Sequence, residues 1–244
     1  MRVLSVDWDY FFPDAFPFDW GHREESLYFE AIWSMRVADR DRTGKSVLDI
    51  MIPDKEVLRG FWKKVCLNNP IMLYISESHA DLGFILKDLQ TEELYNFDAH
   101  HDFCYGETIP SDPDCGSWAG YLLKKNRLKK YHVIYPEWRK DSPENKPKIM
   151  DQFSSKINIH HEIPKMPSID LVFICRSYAW TPPWADDAWK RFINFWKNDS
   201  FLWENKIIAP SVLKSRHPSI KEATVLREKM LADFQRLRAV GGAK

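Results

Sequence analysis

No apolar run in this chain approaches the roughly 20 residues that a helix needs to cross a bilayer, so no membrane span is expected. Net charge is missing as well: 35 basic residues balance 35 acidic ones. That removes the electrostatic reason to expect nucleic acid or an anionic membrane as a partner. Cysteine is sparse, and Cys66, Cys104, Cys115 and Cys175 form no CxxC pair. A closely spaced zinc set is thereby excluded, and reduced thiols of a cytoplasmic protein are the expectation. The stretch Met1-Arg2-Val3-Leu4-Ser5 enters a strand pattern without the apolar segment of a signal peptide, which again reads as cytoplasmic. There is no internal repeat, and residues 1–244 are read as one domain.

Aromatic side chains are abundant, at 14% with 11 tryptophans, and most such residues serve cores. Trp180-Thr-Pro-Pro-Trp184 reads differently, because Pro-Pro fits neither a helix interior nor a central strand; an aromatic-lined cleft is expected there. Short apolar runs at 3–6, 71–75, 94–97, 131–135, 171–175 and 207–209 read as buried strands. Between them, 54–68, 184–197 and 218–238 carry helical periodicity. The first opens on Pro53-Asp54; the last carries Ala223, Leu226, Met230, Phe234 and Leu237 on one stripe. Alternation of this kind predicts a three-layer α/β/α fold around a mostly parallel sheet. Residues 10–22 and 136–168 read as loops.

Three segments carry chemistry. Asp7 and Asp9 end the first strand two residues apart, so extended geometry puts both on one face, where a cation would relieve their repulsion. Asp98, His100 and Asp102 follow the strand at 94–97 at the same spacing, and His101 would face away. Mixed carboxylate and imidazole donors suit manganese, iron or zinc better than calcium. His79 follows a third strand and opens a helix. In a parallel sheet the carboxyl ends of strands share one edge, where ligands bind. Asp7, Asp9, Asp98 and Asp102 bring four negative charges, which two divalent cations would balance.

Asp98-Ala-His-His-Asp102 resembles the DAHxD motif of the ureohydrolases, the family of arginase and agmatinase. Ser5-Val-Asp-Trp-Asp9 followed by Pro13 is similar to their SxDxDxxDP motif, with Phe12 in place of the last Asp. Ser76-Glu-Ser-His79 resembles their GGDH segment, with both glycines and the Asp changed. The motif order differs from arginase as a circular permutation would make it. With Asp114-Cys-Gly-Ser-Trp118 and Cys175-Arg-Ser, the arrangement resembles the peptide arginases, which convert arginine to ornithine in ribosomally made peptides. The resemblance implies an arginase-like fold, two Mn2+ per chain, an arginine-containing precursor peptide as partner, and urea as product. It implies that Asp98 and Asp7 bridge the metals, that His79 and Asp102 complete one and that His100 and Asp9 complete the other. Asp102 would also shuttle a proton to the leaving amine. No motif position supplies the guanidinium-binding carboxylate; Glu25 and Glu77 are candidates, and His22 is the candidate for a shuttle histidine.

Other readings use fewer of these residues. A haloacid-dehalogenase-like phosphatase would use Asp7 as nucleophile and Asp9 as acid and base, with Ser76 and Asp186-Asp187 recruited later. A one-zinc deacetylase-like enzyme needs only Asp98, His100 and Asp7. A small-molecule ureohydrolase, or a peptide-binding module with a structural metal, is a further alternative.

Overall fold

The computed structural model describes residues 1–12, 29–40, 43–65, 72–194 and 204–241. Among them are seven strands, β1 (Arg2–Asp7), β2 (Met72–Ser76), β3 (Thr91–Phe97), β4 (Leu128–Ile134), β5 (Ile157–His160), β6 (Leu171–Cys175) and β7 (Asn205–Ile208). They form one sheet in the order β5-β4-β3-β1-β6-β2-β7, and every pair is parallel. The helices are α1 (Phe29–Arg36), α2 (Val47–Ile50), α3 (Lys55–Val65), α4 (Ala80–Leu86), α5 (Trp118–Lys124), α6 (Asp186–Asn194) and α7 (Ile220–Gly241).

Alternate side chains of each strand enter opposite layers, as the period of two requires. Leu4, Val6, Leu73, Ile75, Phe97 and Ile174 meet α1, α2, α3, α6 and the start of α7. Val3, Leu94, Tyr131, Val133, Leu171 and Phe173 meet α4, α5 and Met150. This is the expected three-layer α/β fold, with a sheet parallel throughout. Much of the aromatic content among the described residues is core: Trp8, Trp33, Trp118 and Trp189 are fully buried. Trp8 packs on Phe11, Phe12, Trp189 and Phe192, and forms a rigid aromatic floor behind the residue that follows it, Asp9.

The helix ends follow their local chemistry. Asp54 Oδ1 accepts the amides of Glu56 and Val57 and starts α3 where Pro53-Asp54 predicted. Ser219 and Glu222 exchange hydrogen bonds as a capping box ahead of α7. The apolar stripe of α7 is buried only near its start. Ala223 is inaccessible, whereas Phe234 and Leu237 are 55% and 69% exposed, so the second half of the stripe is not core. The segment 136–168 is more ordered than a loop: it contains 3-10 turns at Glu137–Lys140 and Lys148–Lys156 and the edge strand β5. Glycines in α4 and α5 allow close approach: a Cβ on Gly83 would sit 2.8 Å from Trp118 Cβ of α5. It would also sit 2.5 Å from Pro113 Cβ, and one on Gly120 would sit 2.0 Å from the Phe103 carbonyl oxygen. No helix of the described residues is long and apolar enough to cross a membrane.

Candidate metal centre

The strand order reverses around β1, whose neighbours are β3 and β6. Such a switch point opens a crevice at the carboxyl edge. Asp7 closes β1, Asp98 follows β3, Cys175 closes β6, and His79 lies between β2 and α4. All six sequence-predicted ligands converge here, and all except His100 are buried.

Their convergence does not come from continued strand geometry. Asp9 lies in a 3-10 turn, Trp8–Phe11, whose first amides are held by Asp7: Asp7 Oδ1 accepts Asp9 N at 2.9 Å. That turn swings Asp9 toward β3, where its Oδ1 accepts Ala99 N at 3.2 Å and its Oδ2 lies 2.8 Å from His100 Nδ1. After Phe97 the chain bends rather than extends, and Asp102 takes a left-handed φ of 45°. Aspartate tolerates that region better than most residues. His101 does face away: its Nδ1 accepts Phe103 N, and its ring stacks on Tyr105.

His79 is the centre of one half. Its Nδ1 is 3.0 Å from Asp7 Oδ2, 3.3 Å from Asp98 Oδ2 and 3.0 Å from Asp102 Oδ2. The nitrogen nonetheless makes a well-directed hydrogen bond to none of them and is buried. Its other nitrogen, Nε2, lies 2.6 Å from Ser5 Oγ. With an Nε2 proton given to Ser5, Nδ1 turns a lone pair toward three carboxylates. A cation among them resolves that conflict, and a hydrogen-bonded second nitrogen is the usual way a metal-binding imidazole is oriented. Three groups bring donor atoms within 4.8 Å of one another: Asp9, Asp98 and His100; His79, Asp98 and Asp102; and Asp7, His79 and Cys175. The buried Asp and His donors therefore fit a divalent metal.

The charges tell the same story without a cation. Burial, and then the neighbouring carboxylates, push Asp7 and Asp102 well above the usual carboxylate range and Asp9 upward. Burial opposes the charged forms of His79 and His100, but the surrounding carboxylates outweigh it and raise both. Burial also works against ionised Asp98, yet His100 and His79 hold it well below its ordinary value. In the metal-free protein the raised groups bind extra protons when folded. Their stabilisation is present in acid and is lost as pH rises through their folded pKa values, from about 4 for the aspartates and from about 6.5 for the histidines; among the six ligands Asp98 alone has the opposite sign. Metal binding needs the deprotonated ligands and strengthens as pH rises. Chelation should therefore lower Tm more at about pH 7.5 than at about pH 5. Equal losses in thermal scans at the two pH values would contradict a cation at this site.

The chain matches no protein-family model, no curated protein and no solved structure. The assignment of chemistry thus rests on the site itself. Several of its supports escaped the sequence reading. Asn96 Nδ2 donates to Asp98 Oδ2 at 2.9 Å and is also 3.0 Å from Tyr131 Oη. Trp118 Nε1 donates to Asp102 Oδ2 at 2.7 Å, and its ring lies against His79. Asn96 alternates with Asp98 along one strand face, a signal the sequence did contain. The Trp118 contact depends on α5 docking at Gly83 and Gly120, for which no local signal exists. Replacement of Trp118 by Phe should keep the ring and remove the donor. Competitive chelator titration should then show metal affinity lower by about 10–100-fold, with an unchanged circular dichroism spectrum.

His22 and Glu25 lie outside the described residues. Glu77 is already committed: both its oxygens are engaged by the Arg176 guanidinium. It is a partner of the chain's own arginine, which takes it out of the candidates for gripping a substrate. Asp186, which a phosphatase reading would recruit, is likewise held by Arg216 and Arg176. Trp180 lies 5.2 Å from the His100 ring and Tyr105 lies 6.5 Å from it. Trp184, by contrast, is tied to the core through Met51 O and Trp33. Residues from 136–168 also reach the site: Arg139 Nε donates to Ala99 O, and Glu144 accepts His101 N, Tyr105 Oη and Tyr135 Oη.

Proposed function

We propose that this chain is a binuclear metal hydrolase of the ureohydrolase type, which converts arginine in a peptide to ornithine and urea with two manganese ions. The observation that carries the reading is Asp98, which belongs both to the Asp9–His100 group and to the His79–Asp102 group. A carboxylate common to two donor sets is what a pair of adjacent cations requires, and a one-metal site would leave several of these buried acids uncompensated. Bound ions would supply Lewis acidity and a water acidified toward neutral pH, the means by which a poor electrophile such as a guanidinium is attacked.

The chain's own residues do the rest. Asp102, held by Trp118 Nε1 and a left-handed backbone, would pass a proton to the departing amine. Trp180 and the exposed Tyr105 flank His100, the most accessible of the six ligands, and offer flat faces on which a guanidinium can stack. A mouth with aromatic walls suits an arginine held within an extended peptide. The test is mass spectrometry of an arginine-containing peptide blocked at both ends, of free arginine and of agmatine, each incubated with enzyme and manganese. Ornithine in the peptide, with matching urea, is the expected result. Urea from free arginine or agmatine alone would remove the peptide assignment and keep the hydrolysis; no urea from any of them would overturn both.

A further inference from the structure

Cys175 does not behave as the inert thiol that its position in an apolar strand implies. It is fully buried at the end of β6, directly opposite Asp7 of β1 and Ser76 of β2 in the sheet register. Residues opposite one another on neighbouring strands share a face, so its sulfur is on the Asp7 side of the centre. There it joins Asp7 and His79 as a third donor, all within 4.8 Å of one another. The second observation is the His79 Nδ1 atom, buried, without a hydrogen bond, and 3.0 Å from Asp7. The Ser177 amide donates to the sulfur at 3.2 Å, which favours a negative sulfur, while in the metal-free protein the thiol donates to Glu77 O at 3.4 Å.

We propose that Cys175 is a metal ligand and that it makes the two metal positions chemically unequal. The inner position, where Asp7 and Cys175 join the His79–Asp98–Asp102 group, is a closed site with a soft donor, selective for a thiophilic ion of the zinc or iron(II) class. The outer position, Asp9–Asp98–His100, has only nitrogen and oxygen donors and includes the partly exposed His100. It takes the harder, exchangeable ion, manganese. On binding the inner ion the thiol loses its proton to solvent. The inference rests on the binuclear reading, adds Cys175 to the inner ligands and changes the identity of the inner ion. Cys104 cannot play this part, since among the described residues it belongs to none of the donor groups, and its sulfur lies among the backbone groups of Gly106 and Thr108.

The experiment is cobalt substitution of the full chain, read by near-ultraviolet absorption. Wild-type protein should show a sulfur-to-cobalt charge-transfer band. In Cys175→Ser the band should vanish while cobalt still binds at the outer position; in Cys104→Ser it should persist. Competition between zinc and manganese should also lose at least about tenfold of its zinc preference in Cys175→Ser. Cadmium-113 resonance of the wild-type protein gives the same answer without a variant, because thiolate-bound cadmium resonates far downfield of cadmium held by nitrogen and oxygen. Cobalt bound without a charge-transfer band, or cadmium with only nitrogen-and-oxygen shifts, would overturn the thiolate ligand and leave the binuclear reading intact. No bound metal of either kind would overturn both.

Discussion

Asp98→Asn should empty both metal positions at once. Asp98 is fully buried, and its two oxygens point to the two halves of the centre: Oδ2 is 3.3 Å from His79 Nδ1 and Oδ1 is 3.6 Å from His100 Nδ1. Asparagine keeps the shape and can still accept the His100 amide, now bound to Oδ1 at 2.8 Å. It removes the charge that both cations would share. Metal analysis should fall from two ions per chain to less than one, and hydrolysis should drop by about 10³-fold or more. Asp9→Asn touches only the outer group and should keep the inner ion. Two ions retained in Asp98→Asn would show that this carboxylate is not shared, and the binuclear reading would fail with it.

Asp186→Ala should cost more stability than any substitution at the metal ligands in the metal-free protein. Asp186 Oδ1 lies 2.6 Å from Arg216 Nη2, and its Oδ2 accepts the Arg216 amide at 2.7 Å and faces Arg176 Nη1 at 3.3 Å. Both guanidiniums are inaccessible to water. Arg176 retains Glu77, but Arg216 would keep only carbonyl and hydroxyl oxygens and the faces of Phe29 and Tyr178. Breaking a buried pair from one side costs about 3–5 kcal/mol. For a domain of this size that is a fall in Tm of roughly 6–20 °C. Thermal unfolding checks it, and a shift no larger than that of a surface substitution would mean that water reaches Arg216. Because Arg176 follows Cys175 directly and its carboxylate partner Glu77 lies two residues before His79, the same loss should loosen the inner side of the metal centre.

The parts of this protein legible in its sequence are those governed by short-range rules. β6 lies where its apolar run is, and β1, β2, β3, β4 and β7 begin or end within a few residues of theirs, because a buried parallel strand writes itself as continuous β-branched and aromatic residues. The helices α1, α2 and α5 were not legible, since each is short and takes its partners from distant segments. The six candidate ligands are legible as residue types at strand ends, but extended strand geometry alone does not bring them together. Period-two spacing does not hold past Asp7 or Phe97, where pairing ends and the chain turns. Asp9 arrives by a 3-10 turn and Asp102 by a left-handed backbone. Glu77 and Asp186 look alike in the sequence to any acid available for a substrate, and only their buried arginine partners reveal that they are engaged. Cys175 gives no sign of a ligand, because a cysteine in an apolar strand is indistinguishable from a core residue until its neighbour across the sheet is known.

The placement of β1 between β3 and β6 sets the order in which the protein can become competent. The bond from Arg2 N to Asp170 Oδ2 spans 168 residues, so β1 must wait for β6 before its second edge is paired. Contacts of such long range close late in folding. Until then one edge of the central strand, with Asp7 at its end, is open to water and to other chains, and unpaired edges of this kind invite aggregation. Acquisition of metal during synthesis should accordingly be a late event, gated by the appearance of β6 rather than by the DAHHD segment.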